Sequence, residues 1–194
     1  MLEFLRLQIQ KHTMINSKPA NPDHPILDVI KNRWSPVAYS NEPVAEEKVM
    51  SLLEAARWAP SSFNEQPWSY VVGFKGDETH KKLAETLNDG NAWAREVPVL
   101  MLSLASLKFS RNDKPNRHAM HDTGCATGFM FLQATGMDLY MHEMAGFDSD
   151  KAREFFKISE DYEPAAMIAI GHPGDSDEDS PRERKSVDEM IWKA

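Results

Sequence analysis

The chain has little cysteine, no glycine-rich nucleotide motif and a deficit of positive charge. One cysteine, Cys125, stands among 194 residues, so no intrachain disulfide forms and no thiolate cluster holds zinc. A reducing, cytoplasmic setting is expected. Lys and Arg number 22 against 30 Asp and Glu, a net charge of −8, which argues against a nucleic-acid face. No run approaches the roughly 20 apolar residues of a membrane helix. No strand–helix unit carries GxGxxG, so the Rossmann fingerprint is missing. Repeats and long low-complexity segments are also lacking.

What is present suits one domain with a sizeable core, or half of an intertwined dimer, since 41% of residues are hydrophobic. Residues 1–22 read as an amphipathic N-terminal arm and linker, with Glu3, Arg6 and Gln8 breaking any signal-peptide core. Residues 23–194 read as the domain.

Apolar spacing predicts a short helix over 26–33 capped by Asp23, and a strong helix over 46–58 on Val49, Leu52, Leu53 and Ala56. A strand follows over 68–74, then a helix from Asp77 to a Gly90 stop. The near-continuous apolar run 97–106 suits a strand covered on both faces. The longest helix, 117–135, is expected to end with Gly136 in the left-handed position. Its Gly124, Ala126 and Gly128 predict close packing. A strand over 137–142, a helix capped by Ser149 and a strand over 165–171 complete an α+β layout. The sheet is expected to be mixed or mostly antiparallel, flanked by helices.

Three separated segments stand out. Asn32-Arg33-Trp34-Ser35 and Pro181-Arg182-Glu183-Arg184-Lys185 concentrate donors suited to an anion. Between them lies APSSFNEQPW, 59–68, which is richer than a helix-to-strand connection requires. Pro60 and Pro67 stiffen it, and Asn64 and Gln66 each present a donor and an acceptor, as a heterocycle edge would need. The alternative readings are solvated surface charges offsetting DSDEDS, and a loop whose amides satisfy their own backbone. His118, His121 and Asp122 share one helix face, but three metal ligands from one helix are uncommon, so no metal site is expected. Cys125 reads as a small packing residue, and Trp58, Trp68 and Trp192 as packing and interface residues.

Taken in order, Arg33–Ser35, APSSFNEQPW, DTGCATGFMFLQATGM, AGFD (145–148) and RER (182–184) resemble the FMN-dependent nitroreductase (flavin reductase) family. The resemblance covers about residues 26–192. It implies a nitroreductase-like fold, an intertwined homodimer, and FMN at the subunit interface. Arg33, Ser35, Arg182 and Arg184 would hold the FMN phosphate and ribityl chain, with Trp34 touching the same chain. Pro60, Ser61, Ser62, Asn64 and Gln66 would meet the flavin from the second subunit. Ala145 and Gly146 match the turn at the N5–O4 edge, and Asn91 the residue reaching the pyrimidine ring. No catalytic side chain is implied.

The implied activity is NAD(P)H-dependent oxidoreduction, with NADPH or NADH as co-substrate and ping-pong hydride transfer to a small-molecule acceptor: a nitroaromatic, quinone, enone or flavin. The alternatives on the same scaffold are reductive dehalogenation, flavin fragmentation, dehydrogenation, or a non-catalytic FMN-binding dimer. Two positions depart from the family: Val37 where many members carry a basic residue, and Trp93-Ala94-Arg95 where larger members place a Lys near N1–C2=O. The stretch SRNDKPNRHAMH suggests a small lid.

Overall fold

The computed structural model describes residues 18–175 and 181–192. Residues 1–17 of the arm and linker expected over 1–22, and most of DSDEDS, lie outside them. In chain order the elements are α1 (Asp28–Asn32), α2 (Glu46–Arg57), β1 (Trp68–Phe74), α3 (Glu78–Thr86), β2 (Val99–Ser106), α4 (Ala119–Gly136), β3 (Tyr140–Met144), α5 (Ser149–Phe156) and β4 (Tyr162–Gly171). Short 3-10 turns cover Ser62–Asn64, Asp89–Glu96 and Val187–Met190.

A strand without a polar side must be covered twice, and β2 determines the layering. Val99 and Met101 point into a core shared with Val49 and Leu52 of α2 and Ala126 and Met130 of α4. Leu100, Leu102 and Leu104 point the other way, to Leu83 of α3 and Ala152 of α5. The sheet runs β1-β2-β4-β3, and all three pairings are antiparallel. The fold is α+β, with β1 and β3 as the two edges of this sheet.

One irregularity has a local cause. The β2–β4 register jumps from Ser103↔Ala166 to Leu104↔Pro164, because Pro164 has no N–H to continue the ladder. Ser103, fully buried, repairs the break by donating to the Ala166 carbonyl and accepting its N–H, both at 3.1 Å.

α3 starts where the sequence predicts. The Asp77 carboxylate accepts His80 N–H at 2.6 Å and Phe74 N–H at 2.9 Å. The helix lies so close to β1 that a Cβ on Gly73 would sit 2.6 Å from His80 Cα and 2.9 Å from Thr79 C. Neither backbone atom can yield cheaply. Gly73→Ala should therefore destabilise the fold by about 2 kcal/mol, read as a lower urea midpoint at unchanged m-value.

Several predicted boundaries move. α3 ends at Thr86 rather than Gly90, because Leu87 leaves the helix to bridge Phe147. α4 runs through Gly136, and the left-handed residue beyond it is Asp138, at φ 57°. β3 accordingly begins at Tyr140, not 137. The cap of α5 is Asp148, which accepts Lys151 N–H at 2.9 Å; Ser149 is the first helical residue. α1 begins after Leu27 with no side-chain cap, so Asp23 does not serve. The close packing expected at Gly124 and Gly128 is not made among the described residues, since a Cβ on either meets nothing within 4 Å there.

Candidate functional site

Arg33 follows the C-terminus of α1, a helix end that favours a cation. It donates to Ser35 Oγ at 3.1 Å, and its guanidinium lies 5.5 Å from the Phe131 ring of α4. From the far end of the chain, Arg182 reaches across to donate to the carbonyls of Lys18 and Lys31, at 2.9 and 3.0 Å. Those bonds tie the linker, α1 and the C-terminal segment together.

The result is a hollow of about 240 Å³ lined by Lys18, Arg33, Trp34, Ser35, Pro181, Arg182 and Arg184. No carboxylate is among the lining residues. Burial, then the charges of Arg182 and Arg184, push the Arg33 guanidinium below its usual range. Arg182 is lowered in the same way, by burial and then by Arg184. Crowded, partly dehydrated cations of this kind fit an anion with several acceptor oxygens. Trp34 is buried and packs on Tyr140 at 5.7 Å between ring centroids, so it floors the hollow.

A second group lies at the other end of β3. Asn91 Nδ2 donates to the Gly146 carbonyl at 2.9 Å, and Asn88 N–H to the same oxygen at 3.1 Å. A Cβ on Gly146 would lie 2.5 Å from Asn91 Nδ2, so only glycine lets the amide close on the turn. Ala145 is exposed beside it. Trp93 joins this group to the first, stacking on Tyr39 at 6.1 Å and lying 4.9 Å from the His142 ring. His142 Nδ1 in turn donates to the Pro36 carbonyl at 2.8 Å. β3 runs from Tyr140, which packs on Trp34, to Met144, ~13 Å at ~3.3 Å per residue, with Gly146 two residues beyond its end, a separation on the scale of an extended mononucleotide. Arg95 is committed elsewhere, donating to the Leu87 carbonyl at 3.0 Å and lining a separate groove with Lys75 and His80.

The loop holding Pro60, Ser61, Ser62, Asn64 and Gln66 is not brought to these residues within one chain. It precedes β1, three strand spacings (~14 Å) from β3. It is tethered to Asp122, nine residues or ~13 Å along α4 from Phe131. The loop is held hard. Phe63, Asn64 and Gln66 have φ of 55°, 56° and 53°, a region that costs non-glycine residues of order 1 kcal/mol each. Gln66 Nε2 donates to the Asn64 carbonyl, and Gln66 N–H to Ser61 Oγ, both at 3.0 Å.

Asp122, 5% exposed, accepts Ser62 N–H at 2.8 Å and contacts His121 Nδ1 at 2.9 Å. The helix face that resembled a metal site thus carries a loop anchor. Among the described residues no group of three or more His, Cys, Asp or Glu could hold a metal ion. Asp122→Ala should cost about 1–3 kcal/mol by orphaning that N–H. Limited proteolysis should then cut within 60–66 before any other described segment. Lys18, the further lining residue, carried no signal in the sequence beyond its place in a linker.

The nitroreductase model, described as "Nitroreductase family", matches residues 30–95 and 88–172. The chain belongs to the nitroreductase family. An uncharacterised 15.4 kDa protein of Mycolicibacterium smegmatis is 30% identical over 140 residues, 63% of this chain and 93% of that one. The FMN reductase (NAD(P)H) of Bacillus subtilis is 26% identical over 162 residues, 75% of this chain but 64% of its own length. A crystal structure of an oxidoreductase containing FMN superposes with a TM-score of 0.84 at 28% identity, covering 93% of this chain and 97% of that one. A nitroreductase family protein from Clostridium difficile 630 gives 0.71 at 25% identity, over 87% and 98%. The nitroreductase match ends at residue 172, so the convergence of Arg182 and Arg184 on Arg33 is an observation additional to it.

Proposed function

We propose that this chain is an FMN-dependent NAD(P)H oxidoreductase that works as a cytoplasmic homodimer, with residues 23–194 as its single domain. The observation that carries this is the carboxylate-free hollow of Arg33, Ser35, Arg182 and Arg184, one strand length from the Asn91–Gly146 turn. Its charge suits a phosphate dianion, and the glycine turn suits close backbone approach to a planar edge.

Arg33, Arg182 and Arg184 would bind the phosphate, and Ser35, with Trp34 beneath it, would contact the ribityl chain. Asn91 would orient the pyrimidine end, with Ala145 and Gly146 offering backbone N–H groups at the N5–O4 edge. When bound, FMN would supply the redox chemistry that links NAD(P)H oxidation to reduction of a nitroaromatic, quinone, enone or flavin. The protein's share is to bind, orient and exclude water. Pro60, Ser61, Ser62, Asn64 and Gln66, held at the opposite sheet edge, would close the site from the partner copy. The three left-handed residues favour a preformed shape there over one assembled on binding.

The purified protein should be yellow, with absorbance near about 450 nm, and should bleach when mixed anaerobically with NADPH or NADH. Addition of an acceptor should restore the colour. A colourless protein that takes up no FMN would favour the non-catalytic alternative. Bound flavin that neither nicotinamide bleaches would favour one of the other flavin reactions.

A further inference from the structure

Residues 107–118 contain Lys108, Arg111, Lys114 and Arg117 but a single acid, Asp113, so the segment carries 4 − 1 = +3 in a chain of −8. It folds as a hairpin, with Lys108 bridging Pro115 and Phe109 N–H donating to the Lys114 carbonyl at 2.9 Å. Lys108 is taken up by Asp161 at 2.5 Å. The exposed Arg111, Lys114 and Arg117 have no carboxylate within ion-pair distance among the described residues.

The hairpin is fastened to the 60–66 loop at two places. Glu65 Oε1 accepts Ser110 N–H at 2.7 Å. Phe63, 71% exposed, meets the edge of Phe109 at 5.8 Å and lies under the Arg111 guanidinium at 4.0 Å. An exposed phenylalanine in left-handed backbone is costly twice over. Here it forms the platform on which Arg111 lies flat, leaving the guanidinium edge open to a ligand.

We propose that this hairpin recognises the 2′-phosphate of NADPH and makes the protein selective for NADPH over NADH. The inference rests on the flavin reading above, in which the 60–66 loop closes the flavin site from the partner copy, so that the hairpin fastened to the loop stands at the rim of that site. A co-substrate stacked on the flavin would carry its adenosine half outward across that rim, within reach of the hairpin cations. NADPH differs from NADH only by one phosphate monoester, a dianion in that half. Arg111 offers the planar donor pair that phosphate takes; Lys114 adds charge, as does Arg117, whose Nε donates to His118 Nε2 at 3.2 Å, and neither has an ion-pair partner among the described residues. A pyrophosphate contact would serve both nicotinamides equally and could not select.

Flavin content is measured first, because protein that takes up no FMN defeats the underlying reading rather than this one alone. With FMN-replete protein, wild-type kcat/KM should favour NADPH by at least about tenfold. Arg111→Ala should reduce the NADPH/NADH ratio of kcat/KM about tenfold, and Arg111→Ala with Arg117→Ala about thirtyfold or more. Arg111→Lys should restore part of the ratio. Calorimetry provides a readout independent of turnover: 2′,5′-ADP should bind the holoprotein more tightly than 5′-ADP, and the Ala variants should erase the difference. The selectivity should weaken as salt is raised. FMN-replete protein that uses NADH equally well, or variants that weaken both nicotinamides alike, would overturn the proposal.

Discussion

Arg33→Ala should weaken FMN retention about a hundredfold, Arg184→Ala at least tenfold, and Asn91→Ala only a few-fold. The ranking follows from charge and burial. A hydrogen bond to a charged group contributes about 1.5–3 kcal/mol, against about 0.5–1.5 kcal/mol for a neutral one. Arg33 is half-buried and faces both other guanidiniums, whereas Arg184 is exposed. The FMN-free protein should respond differently. Removing Arg33 relieves its repulsion by Arg182 and Arg184, offsetting the lost bond to Ser35. The thermal midpoint without FMN should therefore stay within about 3 °C of wild type, near 1 kcal/mol for a chain of this size. Fluorescence titration of apoprotein with FMN, beside a melt of the same sample, checks both halves. Equal losses for Arg184→Ala and Asn91→Ala would show that the phosphate end is wrongly placed.

Gly128→Leu should convert a yellow dimer of about 44 kDa (2 × 22.0 kDa) into a colourless monomer that keeps its helical spectrum. Among the described residues of one chain a Cβ there has no neighbour within 4 Å, and the position is exposed, so a longer side chain has room to turn outward. Leucine is also the better helix former, by roughly 0.8 kcal/mol. Yet Gly124 and Gly128 lie on an exposed face of α4 with Met120 and Phe129, 45% and 39% exposed. Trp58 and Trp192, at 70% and 92%, are also bare. In a twofold seam the added side chain acts twice. Overpacking of about 1–3 kcal/mol per copy then weakens association by roughly 30-fold to 10⁴-fold. Sedimentation velocity with flavin absorbance reads mass and cofactor together. Wild type that sediments as a folded, FMN-saturated monomer would refute the shared site, and an unaffected dimer would place the seam off this face.

The sequence disclosed elements well where side chains dominate the energetics. α2 and β1 fall where apolar spacing predicts them, and β2 is covered on both faces as its composition requires. It disclosed endings poorly, because competing partners settle those. Leu87 quits α3 to pair with Phe147, which lies 60 residues away in sequence and has no local signature. Asp138 takes the left-handed turn expected of Gly136, since an Asp side chain tolerates that region. The site was legible mainly through family resemblance. Arg33 and Arg182 are separated by 149 residues, and no spacing rule brings them to one hollow. Lys18 and the anchoring role of Asp122 belong to tertiary structure, the latter disguised as a possible metal ligand.

Because alternate residues of β2 belong to opposite cores, neither side of the sheet can melt while the other survives. Loss of either layer strips one face of the strand that the other layer grips. Heat should therefore take the folded chain apart in one cooperative step, with calorimetric and van't Hoff enthalpies in agreement. The amides of Leu100–Leu102 should be among the last to exchange with deuterium. A cavity cut on either side should shorten their protection by the same mechanism, whichever helix layer loses the atoms.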